Sequence, residues 1–198
     1  PCMIDVVAAT PEAMIKFVDF VAEISDAPLL IGGTVVDARM AGIKFASETG
    51  LLNRVIYNSV IPGCKESEIR EIANLGVKNT LILTLNTKDF TTKGRVSAAK
   101  EIVNTLNKFG VENLLIDTCV VDLVSLGPAC LAIQQIKNEL GYPTGCGAHN
   151  AVATWKNLKN KMGSQAVKPC AVSAVSAAVA AGAAFVLYGP IDDAKYVF

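Results

Sequence analysis

Short apolar runs of strand length alternate with longer segments whose apolar residues recur at helical spacing, the pattern of βα units built on a parallel sheet. Seven runs read as strands: Met3 to Val7, Leu29 to Ile31, Arg54 to Ser59, Thr80 to Leu85, Asn113 to Cys119, Thr144 to Ala148 and Ala184 to Leu187. Most are apolar on both faces, as strands covered by helices on both sides must be. Thr10-Pro11-Glu12 places a capping hydroxyl, a first-turn proline and an acid ahead of the repeat Ala13, Met14, Phe17, Val18, Phe20 and Val21. Those signals predict an amphipathic helix from Pro11 to Ile24. Further helices are expected from Asp37 to Glu48, Lys65 to Leu75, Gly94 to Phe109 and Pro128 to Leu140, stopped by Gly50, Gly76, Gly110 and Gly141. Ala151 to Lys161 and Ala171 to Ala181 share the space between the last two strands, joined through Met162 to Pro169.

A (β/α)8 barrel typically takes roughly 250 residues. Seven strands in 198 residues therefore point to a barrel without one of its parts. The chain opens directly on a strand and stops where Pro190, Ile191, Asp192 and Asp193 open a last helix. The expectation is a single domain, residues 1–198, forming an α/β (β/α)8 TIM-type barrel that lacks its first βα unit and last helix, a fragment of a longer chain. An open doubly wound sheet is the competing architecture. It usually carries G-x-G-x-x-G after a strand, and no such turn is present.

Composition narrows the function classes. Eighteen basic and 18 acidic side chains cancel and are spread evenly, so no basic stripe is available to neutralise a nucleic-acid backbone. With 52% hydrophobic residues, 15 Gly and 8 Pro, the chain is neither disordered nor fibrous. The six cysteines (Cys2, Cys64, Cys119, Cys130, Cys146, Cys170) show no paired spacing and His149 is the sole histidine, which gives a Cys/His zinc site no support. They read as small buried hydrophobes in a reducing, cytoplasmic setting. Pro1-Cys2-Met3-Ile4-Asp5 has no basic stretch of a signal peptide. Cys170 to Tyr188 approaches membrane-span length, but Ser173, Ser176 and Gly182 make it a packed helix, a stop and a strand.

In a parallel barrel, function gathers at the carboxyl ends of the strands. The residues there are mostly neutral and polar: Asp5, Gly32-Gly33-Thr34, Asn58-Ser59, Thr84 and Asn86, Asp117-Thr118, His149-Asn150 and Tyr188-Gly189. The absence of a lysine among them disfavours a Schiff-base aldolase. Two aspartates and one histidine are at the lower limit for a catalytic metal, so no metal site is assigned. Gly145-x-Gly147 is a weak phosphate-loop signal. Two carboxylates plus amides suit a flat neutral heterocycle rich in N–H donors and carbonyl acceptors. Bland readings stand beside these. Asp5 and Asp117 could simply tie down loops, Asn58 is a common turn residue, and Asn150 is equally an N-cap for the helix from Ala151. His149 is more often structural than a ligand, and Cys146 is a weak nucleophile with only His149 near it in sequence.

Several phrases carry a family resemblance: Ile4-Asp5-Val6-Val7 running into Thr10 to Lys16, Ile56-Tyr57-Asn58-Ser59, Gly145 to Trp155 with His149-Asn150-Ala151, Phe185 to Ile191, and Ala194-Lys195-Tyr196-Val197-Phe198. Together they resemble the H-subunit family of tetrahydromethanopterin S-methyltransferase, within the wider group of methyltetrahydropterin:corrinoid protein methyltransferases, over nearly the whole chain. The resemblance implies a pterin-binding barrel with a strand ahead of Asp5 and a helix after Phe198. The implied reaction moves a methyl group between N5 of a methyl-tetrahydropterin, with tetrahydrofolate or tetrahydromethanopterin as the carrier, and the cobalt of a corrinoid (cobalamin) held by a partner protein. Carried over residue by residue, Asp5, Asn58 and Asp117 look like pterin-binding groups. Asn150 looks like both a pterin ligand and the catalytic asparagine that reaches toward N5. A tertiary amine leaves poorly, so N5 must gain a proton or a strong hydrogen bond as the methyl departs.

One departure from the family is plain: Gly32-Gly33 stands where relatives typically have Asp-Ser. It keeps open a non-catalytic pterin-binding or scaffold component of a corrinoid methyltransferase complex. A dihydropteroate synthase-like enzyme would want a phosphate-binding cation near the last strands, where only Lys195 is found. The partners expected are a corrinoid protein, a small-molecule pterin and a second copy in a homodimer, with association to a membrane complex but no span of its own.

Overall fold

The computed structural model describes residues 2–197. Pro1, ahead of the expected opening strand, and Phe198, the last residue of the closing family phrase, lie outside the described residues. The chain divides into two compact units, one of Pro1–Ile82 with Ile102–Leu114 and the other of Leu83–Glu101 with Leu115–Phe198. Six strands form a sheet in sequence order, and every recorded pairing in it is parallel.

In the first unit, β1 (Ile4–Val7), β2 (Leu29–Gly32), β3 (Val55–Val60) and β4 (Asn79–Leu83) alternate with α1 (Pro11–Ile24), α2 (Val36–Glu48) and α3 (Glu66–Asn74). The helix over Pro11–Ile24 starts where the sequence places it: Thr10 Oγ1 accepts from the Ala13 amide at 3.2 Å, and Pro11 fills the first turn, where no N–H is needed. Its buried face is narrower than the repeat suggests. Met14 and Val18 are fully buried, whereas Phe17 and Phe20 are 49% and 58% exposed. Leu29, Leu30 and Ile31 are wholly buried, as an apolar run without alternation requires. The β3–β4 ladder slips at Ser59, so that Asn58 pairs with Leu81 and Val60 with Ile82, and the Asn58–Ser59 peptide is cis. Such bulges re-aim the side chains beside them.

α4 (Thr92–Lys108) and β5 (Asn113–Asp117) belong in part to each unit, and the second continues through α5 (Leu123–Leu140), β6 (Thr144–Gly145), α6 (Asn150–Ala153), α7 (Leu158–Met162), α8 (Val167–Ala180) and α9 (Ala194–Val197). Its core gathers Val120, Ile133, Cys146, Ala148, Leu158 and Val175 among others. Four expectations are corrected here. α5 starts at Leu123 and not at Pro128, because Asp122 and Ser125 form a reciprocal capping box: the Ser125 amide donates to Asp122 Oδ1 at 2.8 Å and the Asp122 amide to Ser125 Oγ at 3.0 Å. The expected strand Thr144–Ala148 keeps only two residues, and Ala184–Leu187 is reduced to a single bridge between Cys146 and Val186. That segment is still held against β6, with the Ala184 and Leu187 amides donating to the Thr144 and Cys146 carbonyls at 2.8 and 3.0 Å. A Cβ at Gly145 would collide with the Phe185 carbonyl oxygen, so only glycine permits this crossing. The helix expected over Ala151–Lys161 is broken into α6 and α7. Among the described residues no helix is long and apolar enough to cross a membrane.

The capping box accounts for the early start of α5, so Asp122→Ala is expected to cost about 1 kcal/mol of stability. Urea unfolding of the variant beside the parent measures it, with an unchanged midpoint counting against the assignment.

Candidate functional site

In the first unit Asp5, the second residue of β1, and Asn58, the fourth of β3, come together. Asn58 Nδ2 donates to Asp5 Oδ1 at 3.1 Å across β2, which lies between their strands. Asp5 remains solvent-exposed as a residue, yet protein atoms crowd its carboxyl, and this desolvation raises its pKa while the Asn58 bond opposes the rise. Gly32 makes the pairing possible. A Cβ there would stand 2.6 Å from Asp5 Oδ1 and 2.9 Å from Asn58 Nδ2, closer than either atom tolerates. The Gly32-Gly33 departure thus has a physical correlate: the two polar groups occupy the space that a side chain at position 32 would fill.

The loop after β2 is fixed from behind by Arg39. Its Nη1 donates to the Gly33 carbonyl at 2.6 Å, its Nε to Tyr57 Oη at 3.0 Å, and its Nη2 to Glu68 Oε1 at 3.0 Å. Tyr57 Oη in turn donates to Glu68 Oε1 at 2.5 Å, closing a buried triangle of α2, β3 and α3. Burial pushes the Tyr57 hydroxyl and the neighbouring Cys64 thiol well up, the latter to about 12.

In the second unit, Asp117 ends β5 and is buried at 5% exposure. Loss of water pushes its carboxyl up to about 6, against the Cys119 and Gly147 amides and the Arg95 charge, which hold it down. The Cys119 N–H donates to Asp117 Oδ1 at 2.7 Å. Asp117 Oδ2 and Asn150 Nδ2 both flank Gly147, at 3.9 and 3.3 Å from where its Cβ would be. The three residues therefore form one small polar surface. Thr84 belongs to the same strand ends: its amide donates to the Asp117 carbonyl at 2.9 Å, and its hydroxyl is buried without a partner.

The remaining tip residues fall elsewhere. Asn150 is the first residue of α6 and not its cap; His149 holds the cap position, and the Asn150 side chain makes no hydrogen bond among the described residues. His149 is structural in part, its Nδ1 lying 3.0 Å from the Leu187 carbonyl. Its ring also lines an apolar cavity with Val167, Ala171, Val172 and Val175, which neither Asp117 nor Asn150 lines. Asn86 is spent in its own loop, accepting from the Lys88 and Asp89 amides and donating to the Gly94 carbonyl. Cys146 is corrected as a nucleophile: it is fully buried, and desolvation together with Asp117 pushes its thiol far up. Lys195 lies 5.3 Å from the Tyr196 ring centroid.

Sequence reasoning missed both arginines behind these tips. Arg39 and Arg95 each hold the fourth position of a helix that follows a strand end, and each binds carbonyls of the loop before its helix. The signal was an arginine in the first turn of a helix that follows a strand end. Cys119 was missed for another reason: nothing in its type announces a backbone φ of 62°.

Residues 1–198 match the protein family described as the tetrahydromethanopterin S-methyltransferase MtrH subunit. The chain is 34% identical over 209 residues to the H subunit of tetrahydromethanopterin S-methyltransferase from Methanothermobacter marburgensis, covering all of this chain and 67% of that protein. It is 34% identical over 218 residues to the protein of the same name from Methanocaldococcus jannaschii and 30% identical to that of Methanococcus aeolicus, in each case covering all of this chain and 68% of the relative. On a match that runs its full length, the chain belongs to the MtrH family of methyltransferase subunits.

Proposed function

We propose that the chain binds a methyl-tetrahydropterin through Asp5, Asn58, Asp117 and Asn150 and moves its N5 methyl group to or from the cobalt of a corrinoid held by a partner protein. The observation that carries this reading is the arrangement at Gly147: a desolvated carboxylate with one oxygen fixed by an amide, beside an asparagine amide with no internal partner. Such a carboxylate accepts a pair of N–H donors from an aminopyrimidine edge, and the free amide can both donate and accept. The Asp5–Asn58 pair offers the same chemistry a second time. With the cobalt as nucleophile, this chain's residues have three tasks: to bind the pterin, to orient its N5, and to stabilise the protonated nitrogen left when the N–CH₃ bond breaks with its electron pair on N5. Asn150 is suited to the last two and cannot itself supply the proton.

The same reading extends the six parallel strands to a (β/α)8 barrel, places the protein in the cytoplasm, and gives it a corrinoid-bearing partner and a second copy in a homodimer. The names of the relatives support a complex of several chains, since each of those proteins is called the H subunit of tetrahydromethanopterin S-methyltransferase. A second reading, a component that binds pterin without catalysing transfer, draws on Gly32-Gly33 standing where relatives typically carry Asp-Ser.

Calorimetric titration of the full-length protein with methyltetrahydrofolate and with methyl-tetrahydromethanopterin tests the binding, and transfer assays with a corrinoid protein test the chemistry. One of the two pterins is expected to bind, and failure of both removes the enzyme reading. Asn150→Ala is expected to keep binding within a few-fold while slowing transfer at least about a hundredfold, the scale of a lost positioned proton-handling group. Transfer at the parental rate would support the second reading.

Asp117→Asn is expected to act in opposite directions on binding and stability. Pterin binding falls sharply, because the charge and one acceptor are lost. Stability of the free protein responds with pH. Near the ordinary carboxylate value both folded and unfolded chains are protonated at lower pH; from there up to about 6 only the folded chain holds the proton, so stability falls as pH rises through that window. The buried charge then costs up to about 3 kcal/mol above it. Asp117→Asn removes this slope, so thermal unfolding is expected to favour the variant by about 1–2 kcal/mol at pH 8 and not at pH 4. Equal stability differences at both pH values would refute the assignment.

Gly32→Ala tests the first unit. The added methyl must part Asp5 from Asn58, so the pterin dissociation constant is expected to rise about tenfold while unfolding changes by under about 1 kcal/mol. Unchanged binding would remove the Asp5–Asn58 pair from the site.

A further inference from the structure

We propose that Arg95 is a positioning residue for Asp117, acting on its carboxylate through the single peptide group that joins Thr118 to Cys119. The inference rests on the reading of Asp117 as a pterin-binding carboxylate. Arg95 projects from the first turn of α4 and is 1% exposed. Its Nε donates to the Thr118 carbonyl at 2.7 Å and its Nη2 to the Cys119 carbonyl at 3.0 Å. Its Nη1 donates to the carbonyls of Phe90 and Thr91, so the guanidinium joins the loop after β4 to the loop after β5.

The Thr118 carbonyl and the Cys119 N–H belong to one peptide group. On one side that group accepts from the Arg95 cation; on the other it donates to Asp117 Oδ1 at 2.7 Å. A cation on the oxygen withdraws density from the amide, making the N–H a stronger donor to the anion opposite it. The same clamp holds Cys119 at φ 62°, a left-handed conformation that a side-chain-bearing residue keeps only when its surroundings enforce it. With Oδ1 occupied and fixed, Oδ2 is the oxygen left toward Gly147 and Asn150.

A plain loop staple would not require this arrangement. Arg39 also holds a loop carbonyl, but it lies beside the Glu68 carboxylate, which compensates its charge directly. Arg95 has no carboxylate within ion-pair distance among the described residues, and an uncompensated buried guanidinium is costly. Asp117 is the nearby anion that the guanidinium reaches through a single peptide group. The other titratable groups around Asp117 are Cys119 on its own loop, Cys146 from the end of β6 and His149 ahead of α6; both thiols are pushed upward by burial and stay neutral near pH 7, and the His149 ring is tied to the Leu187 carbonyl. Asp122 and Asp89 act on the Arg95 charge as well, each more strongly than Asp117, but neither is joined to it through a shared peptide group.

The test is a carbon-13 NMR titration of aspartate-labelled full-length protein, following the Asp117 carboxyl, with pterin affinity measured in parallel from about pH 5.5 to about pH 8.5, a range that brackets the expected midpoint. In Arg95→Met the Asp117 midpoint is expected to rise by at least about 0.5 pH unit, with affinity at pH 7 about tenfold weaker. The low-pH limb of the affinity profile should move with it, and Arg95→Lys should recover part of both effects. In the parent protein the Cys119 amide proton is expected far downfield and to follow the Asp117 midpoint, a readout that needs no folded variant. An Asp117 midpoint that does not move in Arg95→Lys or Arg95→Met, with only the melting temperature lowered, would overturn the proposal and leave a staple. A shifted midpoint in a protein whose parent binds neither pterin would sustain the coupling and fail the binding reading alone.

Discussion

Main-chain carbonyls in the loops at the strand ends must find donors, and in this chain arginine supplies them. A parallel strand ends by turning its backbone out of the ladder, which leaves carbonyls without a partner at the place where a site needs a fixed and partly dry surface. Of the four arginines, Arg39 and Arg95 bind carbonyls of loops that follow strands, Arg54 binds the Ala27 carbonyl ahead of β2, and Arg70 pairs with Glu66 and lies over the Phe109 ring. A guanidinium suits the task because its five donors lie in one plane and reach several carbonyls at once. A polar group such as Asp117, at the end of β5, can then be held in place without being consumed by the loop beside it.

The βα alternation was legible because its local signals agree with its packing. Thr10-Pro11 caps α1 as written, and Gly50, Gly76, Gly110 and Gly141 all take positive φ at helix ends, so their positions mark the units without any tertiary information. The errors arose where tertiary structure outweighs a local sign. Pro128 reads as a helix start, yet it is carried inside α5 because the Asp122–Ser125 box caps the helix upstream of it, at Leu123. Ala184–Leu187 has the composition of a buried strand, but Gly145 brings the Phe185 carbonyl so close that regular pairing survives only at Val186.

For the candidate site, the strand-end rule selected Asp5, Asn58, Asp117 and Asn150 only among a longer set of polar tip residues, and the family resemblance singled the four out. The same rule also selected Asn86, which its own loop absorbs, since type and position do not say whether a side chain's partners are internal. What the sequence could not convey is the role of residues that act by being small or by bending: Gly32 under the Asp5–Asn58 pair, Gly147 between Asp117 and Asn150, and Cys119 in the left-handed region. Each depends on distances across elements far apart in the chain, which no local pattern encodes.

The Asp117 surroundings also explain why such a site is not simply made drier or more tightly paired. Full desolvation would leave the carboxyl protonated at neutral pH, and a direct salt bridge to an arginine would occupy the oxygen a ligand needs. The observed arrangement lies between these limits: burial raises the carboxyl to about 6, two amides and a cation one peptide removed hold it there, and Oδ2 faces Gly147 and Asn150. A group tuned in this way is ionised at pH 7 yet poorly compensated, so the free protein carries electrostatic strain that a ligand with paired N–H donors would relieve on binding. The stability given up at Asp117 and the affinity available there are therefore two readings of the same missing hydrogen bonds.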